Sequence, residues 1–257
     1  ANKIDELIAY SKIKKVFLFA TPITEDYVDF VANKFGVIKI ASGDINFLPT
    51  LKAAYKSNKL TIVSTGASTI NEIENIFKIF KNKKKIILMH CISNYPTKIE
   101  NANLVNIQYL KEKFEVEVGY SNHVLGTTAC EVAISLGARI VEFHFTDNKR
   151  RKFIDHQISF EPKDFLRLKT KSIDIIKSIG KVRKDQFLCE QNFKDLRKGL
   201  VYLKNLKKNS IIKKEDLGYA RPATFFSYDR ETKILGKKIN KNVKKYNLIK
   251  KNDFYKK

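Results

Sequence analysis

Residues 118–126 read VGYSNHVLG and residues 137–146 read GARIVEFHFT. Each is an apolar run of strand type that closes on polar side chains: Ser121, Asn122 and His123 in the first, His144 in the second. Imidazole nitrogen is a donor for divalent transition metals, so two histidines at the ends of neighbouring strands can share one ion. All 4 histidines (90, 123, 144 and 156) lie at strand ends or just after one. Other runs end in hydroxyls and one ammonium: Thr21 after KVFLFA, Lys39 and then Ser42-Gly43-Asp44 around VIKIA, Ser64-Thr65-Gly66 after LTIVS, and Cys91, Ser93, Asn94 and Tyr95 after KIILMH. Ser-Gly turns offer hydroxyl and backbone donors to a phosphate, and Lys39 adds a point charge. The same residues are ordinary turn formers. Lys39 also reads as a surface lysine, Tyr95-Pro96 as a plain loop turn, and Asp155-His156 as a cap.

These chemical groups need elements that bring them together. The runs 15–20, 37–41, 60–64, 85–90, 116–121 and 139–145 are short and rich in β-branched residues. Between them lie stretches with apolar positions at three- and four-residue spacing: 24–35, 71–82 and 103–114, with another at 162–178 after the last run. Nearly continuous apolar strands alternating with helices predict a parallel sheet covered by helices. With no glycine-rich dinucleotide fingerprint, the repeat predicts a (β/α) TIM-type barrel rather than a Rossmann sheet. In such a barrel every strand end opens on one face, where enzymes of this architecture place their sites. A closed barrel takes eight strands. Six are found and the chain opens on a helical pattern, NKIDELIAYSKI, so the first two βα units are expected to be missing.

Composition narrows the function classes. No apolar run approaches a membrane span and no signal-peptide pattern opens the chain. Cys91, Cys130 and Cys189 are far apart and odd in number, which predicts reduced thiols and a cytoplasmic protein. The net charge of +23 invites an acidic partner, nucleic acid first. Only 8 of the 50 basic residues are arginine, however, and the lysines run along the whole chain, with modest clusters at 81–85 and 149–152. Arginine is the residue of base-edge and phosphate-fork recognition. This pattern argues for a lysine-biased surface that attracts small anions, with a basic nucleic-acid-binding protein as the alternative from another class.

The runs KIASGDINFLP (39–49), VSTGAS (63–68), HCISNYPT (90–97), VGYSNHVLG (118–126), GARIVEFHFT (137–146) and DHQISFEP (155–162) resemble the sialic acid synthase family, in family order. Residues 196–222 and 234–254 resemble the small antifreeze-like (SAF) domain that follows the barrel in that family. The resemblance implies an incomplete barrel over 1–180, a linker over 181–195 and an SAF domain over 196–257. It implies condensation of phosphoenolpyruvate with an N-acylated hexose such as N-acetylmannosamine, releasing phosphate by C–O cleavage and giving a nonulosonic acid. A divalent metal, Mn²⁺ in most of the family, would be held by His123 and His144 and act as a Lewis acid on the open-chain aldehyde. Lys39, Ser42, Ser64 and Ser121 would hold phosphoenolpyruvate, with Thr21 nearby; Tyr95, Asp155 and Glu190 would contact the sugar. Asp44 takes the place of a catalytic glutamate, one methylene shorter. Arg221 would reach into the partner subunit's site, which implies a domain-swapped homodimer. Further departures are Asn122 for aspartate, Phe143 for a basic residue, Phe153-Ile154 for Gly-Pro and Ala223 for glycine. The first two family strands carry an essential glutamate and a lysine, so the resemblance implies either a synthase whose N-terminal part lies outside this sequence or is supplied by a separate chain, or, if the chain is complete, a catalytically impaired relative that keeps the fold and ligand binding.

Overall fold

Five of the apolar runs become strands, each paired in parallel with a neighbour. The computed structural model describes residues 2–181 and 193–255; Cys189 and Glu190 lie outside the described residues. The chain divides into two compact units, Ala1–Gly180 and Lys181–Lys257.

In the first unit the elements follow α1 (Asn2–Ile13), α2 (Val28–Phe35), β1 (Val37–Ile40), α3 (Leu48–Lys56), β2 (Leu60–Ser64), α4 (Ile70–Ile79), β3 (Ile86–His90), α5 (Asn106–Phe114), β4 (Glu117–Asn122), α6 (Thr128–Ser135), β5 (Val141–Phe143), α7 (Ile154–Ile158) and α8 (Pro162–Ile179). The strands pair in chain order, β1-β2-β3-β4-β5, and every pair is parallel. Strand order without a reversal separates this sheet from a doubly wound one. It is an α/β fold with a parallel half-barrel sheet.

Local chemistry sets the helix limits. α2 stops at Gly36, which takes the left-handed conformation (φ 75°). α4 opens with a reciprocal cap, in which Glu72 N donates to Thr69 Oγ1 at 3.3 Å and Thr69 N donates to Glu72 Oε2 at 2.7 Å. α8 starts at Pro162, in the first helical position that tolerates a missing N–H.

Strand alternation divides the sheet into two chemistries. One set of positions, Ile38, Ile40, Val63, Leu88, Val118 and Tyr120, joins Val28, Val31, Leu51, Ile73, Ile76, Ile107, Leu110 and Leu168 of the helices in a single core. Each such aliphatic side chain, fully buried, contributes about 1.5–3 kcal/mol. The alternate set contains Lys39, Ser64, Met89, Gly119, Ser121 and Glu142. Register keeps these on one face, with Ser64 opposite Met89, Met89 opposite Gly119, and Ser121 opposite Glu142.

Residues 15–20, expected as a strand, do not form one. Only Ala20 pairs, through a single parallel bridge to Ile38, with Lys39 N donating to Ala20 O at 3.1 Å. A run of β-branched and aromatic residues becomes a strand when it has a ladder partner and a face to bury. Val16, Phe17 and Phe19 are exposed, and among the described residues no strand lies beyond them. The run 139–145 likewise contracts to β5, with one further bridge from Phe145 to Phe160.

The second unit contains α9 (Phe193–Leu196) and an antiparallel pair, β6 (Gly199–Tyr202) and β7 (Leu217–Ala220). Leu200, Tyr202, Ile212, Leu217, Ile234, Ile239, Ile249 and Phe254 form its core. Two similar segments, Lys213–Asp216 and Lys250–Asp253, each close a tight turn on a buried carboxylate. Asp216 accepts from Lys213 N at 2.9 Å and Asp253 from Lys250 N at 2.8 Å, and each carboxylate also faces a lysine, Lys204 at 2.6 Å and Lys241 at 2.7 Å. No described helix is long and apolar enough to cross a membrane.

Candidate active site

Lys39 is the centre of a polar chain across four strands. Its side chain stands between Ile38 and Ile40 in sequence but on the opposite face, and it is only 7% exposed. A buried ammonium is costly unless it is paired. Its Nζ donates to Ser64 Oγ at 2.7 Å and lies 3.5 Å from Glu142 Oε2. Ser121 Oγ donates to the other carboxylate oxygen, Glu142 Oε1, at 2.8 Å. Serines 64 and 121 and Lys39, expected to act together, are thus joined through Glu142. In the sequence Glu142 stands out only as a neighbour of His144. The signal was there: residues 142 and 144 of a strand share a face.

Beside this chain sits a group of three rings and a carboxylate. The ring centres of His123 and His144 are 5.5 Å apart, and Tyr95 lies 4.1 Å from His123 and 5.8 Å from His144. Asp155 Oδ2 is 3.9 Å from His144 Nδ1. His123 Nδ1 is 2.7 Å from Ile92 O. A carbonyl only accepts, so Nδ1 carries the proton and Nε2 presents its lone pair. Burial, above all, and the adjacent His144 ring hold His123 below the ordinary histidine range, which keeps that lone pair available at neutral pH. Burial, then Cys91, Asp155 and Glu142 nearby, push the Tyr95 phenol up, so it stays a donor.

The donor set suits one divalent ion. An imidazole bound through nitrogen puts its ring centre roughly 3.2 Å from the metal, so two rings on one ion have centres about 4.5–6.4 Å apart. The observed 5.5 Å falls inside that range. Among the described residues no third His, Cys, Asp or Glu completes a ligand cluster. Two imidazoles alone fill only part of the coordination shell of such an ion.

A third feature is a pocket of hydroxyls at the β1, β2 and β3 ends. Ser42 Oγ accepts from Gly66 N at 3.1 Å and lies 3.2 Å from Cys91 Sγ. A Cβ on Gly66 would stand 2.3 Å from Ser93 Oγ, 2.8 Å from Cys91 Sγ and 2.9 Å from Ser42 Oγ, so any side chain there requires those three tips to move. Burial pushes the Cys91 thiol up, making it a packing group rather than a nucleophile.

Other expected residues stand apart from these groups. Asp44 occupies the short turn Ser42–Asp44 after β1, and its carboxylate has no hydrogen bond or ion pair among the described residues. Asn122 is held on the core side, accepting from Tyr120 OH at 3.1 Å and Val124 N at 3.2 Å and donating to Val124 O at 2.9 Å. His90 is buried against Tyr120, and His156 lies 2.7 Å from Thr146 Oγ1. Arg221 belongs to the second unit, directly after β7. Glu190 lies outside the described residues.

Comparison with known proteins gives this geometry a context. The NeuB family model matches residues 1–184. The chain is 38% identical over 251 residues to N,N'-diacetyllegionaminic acid synthase of Campylobacter jejuni, covering 95% of this chain and 75% of that protein. It is 34% identical over 249 residues to pseudaminic acid synthase of the same species, covering 93% and 71%. The crystal structure of N-acetylneuraminic acid synthetase from Leptospira borgpetersenii, in complex with citrate, superposes with a TM-score of 0.68 at 37% identity, over 71% of this chain and 65% of that one. The chain thus spans about two thirds to three quarters of the length of these relatives. On a family match over most of its length and on these identities, the chain belongs to the NeuB family.

Proposed function

We propose that this chain serves the condensation of phosphoenolpyruvate with an N-acylated hexose such as N-acetylmannosamine, forming a nonulosonic acid and releasing phosphate. The observation that carries the reading is one sheet face bearing both the Lys39–Ser64–Glu142–Ser121 chain and, at its edge, the His123–His144 pair. The synthase names of its relatives support the reaction class.

In this reading the Lys39 ammonium and the hydroxyls of Ser42 and Ser64 hold phosphoenolpyruvate as donors to its anionic oxygens, and Ser121 joins them when its single hydroxyl proton turns from Glu142 to the ligand. Glu142 orients Lys39 and Ser121 before the anion arrives. Tyr95 and Asp155 flank the sugar, with Glu190 a further sugar ligand. Asp44, on the turn that also carries Ser42, is assigned proton transfer by position. His123 Nε2 and His144 would hold a divalent ion, Mn²⁺ by family habit. When bound, that ion supplies Lewis acidity at the aldehyde. The half-barrel sheet is read as part of a TIM-type barrel and the second unit as an SAF domain. Arg221 is assigned to the acyl group of a substrate in the partner subunit of a swapped homodimer. The free, buried thiols Cys91 and Cys130 support a reducing, cytoplasmic setting.

The test is thermal. Phosphoenolpyruvate at one hundred times its Kd stabilises the folded chain by about 2.7 kcal/mol, which raises the melting temperature by several degrees; absence of a shift at millimolar ligand overturns the reading. A second reading is ligand binding without turnover. A melting shift without phosphate release in the presence of Mn²⁺ and N-acylhexoses would select it.

A further inference from the structure

We propose that the second unit carries its own binding site for a small multivalent oxyanion, a phosphorylated molecule with at least two negative charges. This inference is independent of the reading above. Residues 181–257 hold 23 Lys and Arg against 8 Asp and Glu, so this stretch accounts for +15 of the chain's +23.

The structure gives part of that charge a concave shape. A cavity of about 560 Å³ opens among Thr224, Phe225, Ser227, Arg230, Lys233 and Lys251, and among the described residues no carboxylate lines it. Asp229, adjacent in sequence, takes the Arg230 guanidinium at 3.6 Å. Lys233 and Lys251 enter no ion pair among the described residues. Lys204, Lys214 and Lys241 of the same unit each face a carboxylate. Like charges around a concavity focus the field into it and raise the local concentration of counter-ions.

The cavity wall is built rather than incidental. Leu200 N donates to Phe226 O at 3.0 Å, Arg230 N donates to Ser227 O at 3.0 Å, and Gly199 bridges Ser227. The loop packs so closely on β6 that a Cβ at Gly199 would lie 2.7 Å from Pro222 O and 2.8 Å from Ala223 Cα. Thr224 and Ser227 add neutral hydroxyls to the ammonium groups, the mixture that serves phosphate oxygens. The volume is in the range of small-molecule sites, roughly 300–1,000 Å³. It exceeds what one phosphate fills, which favours a ligand with two or more anionic groups. A short basic hollow, half open to solvent, suits a compact anion better than the long track a nucleic-acid strand needs.

Sodium pyrophosphate is the probe, titrated calorimetrically into the whole chain at physiological salt. The background is Lys39→Met, which removes the ammonium of the first unit's anion site and keeps the two readings separate. Saturable one-site binding is expected. Lys233→Ala with Lys251→Ala weakens it at least about tenfold, whereas Lys207→Ala with Lys208→Ala, removing equal charge elsewhere on the unit, leaves it unchanged. All four lysines are exposed, so folding is retained, and melting curves check it. Three results overturn the proposal: no saturable binding at millimolar pyrophosphate, equal weakening by both lysine pairs, or binding of a DNA oligonucleotide with none of pyrophosphate.

Discussion

The carboxyl end of β3 and that of β4 each carry a histidine, and they use it in opposite ways. His90 pairs in register with Tyr120, whose ring lies among the helices. It is 4% exposed, stacks on Tyr120 with ring centres 6.0 Å apart, and its Nε2 is 2.8 Å from Ala102 O. His123, an odd-numbered step beyond Tyr120, comes to the polar face, where Nε2 is left open beside His144. Residue type and proximity to a strand end are alike. Strand parity decides which ring is architecture and which can hold a ligand.

The sharpest way to break this comparison is metal titration. His123→Ala is expected to weaken Mn²⁺ binding by at least about 100-fold, since even outer partners of metal ligands are worth 10–100-fold, while His90→Gln leaves it unchanged. Equal losses in calorimetry would show that parity does not separate the two.

The next effect contrasts neighbours on β2 and β4. Ser121→Ala removes a hydroxyl assigned to an anion and should weaken phosphoenolpyruvate binding about tenfold or more, the worth of a hydrogen bond to a charged group. Thr65 follows Ser64 but donates Oγ1 to Met89 O at 3.0 Å. Thr65→Val should lower the melting temperature and spare ligand affinity, so a loss of affinity would contradict the division of faces.

The smallest effect is in pH. Burial holds His90 below its ordinary value of 6.5. The unfolded chain then takes up a proton there at higher pH than the folded one. Stability from the neutral ring is complete above the unfolded value and is lost as the pH falls from there toward the folded value. His123 shifts the same way. Stability should therefore decline from pH 7 to pH 5, at up to about 1.4 kcal/mol per pH unit for each ring. His90→Gln keeps a donor for Ala102 O and removes one share of the slope; an unchanged slope in denaturant melts would show that His90 is not the neutral core group described.

Much of this arrangement was readable from residue patterns. Five runs became strands within a residue or two at most ends, and the helix expected at 162–178 forms as Pro162–Ile179. Lys39 inside an apolar run was a sound signal, because alternation sends it away from its neighbours' core. Two features stand outside that reading. The run 15–20 has every local property of a strand, but pairing is a property of the partner, which composition does not encode. Glu142 was passed over because a carboxylate among apolar residues reads as a spacer until register places it opposite Ser121.

Gly66 contributes no functional group, yet three strand ends converge on the space above its Cα. Every other amino acid at this codon would wedge Ser42, Ser93 and Cys91 apart together. Such a lesion would resemble the loss of several ligands at once, and a scan that ranks positions by side-chain chemistry would overlook its source.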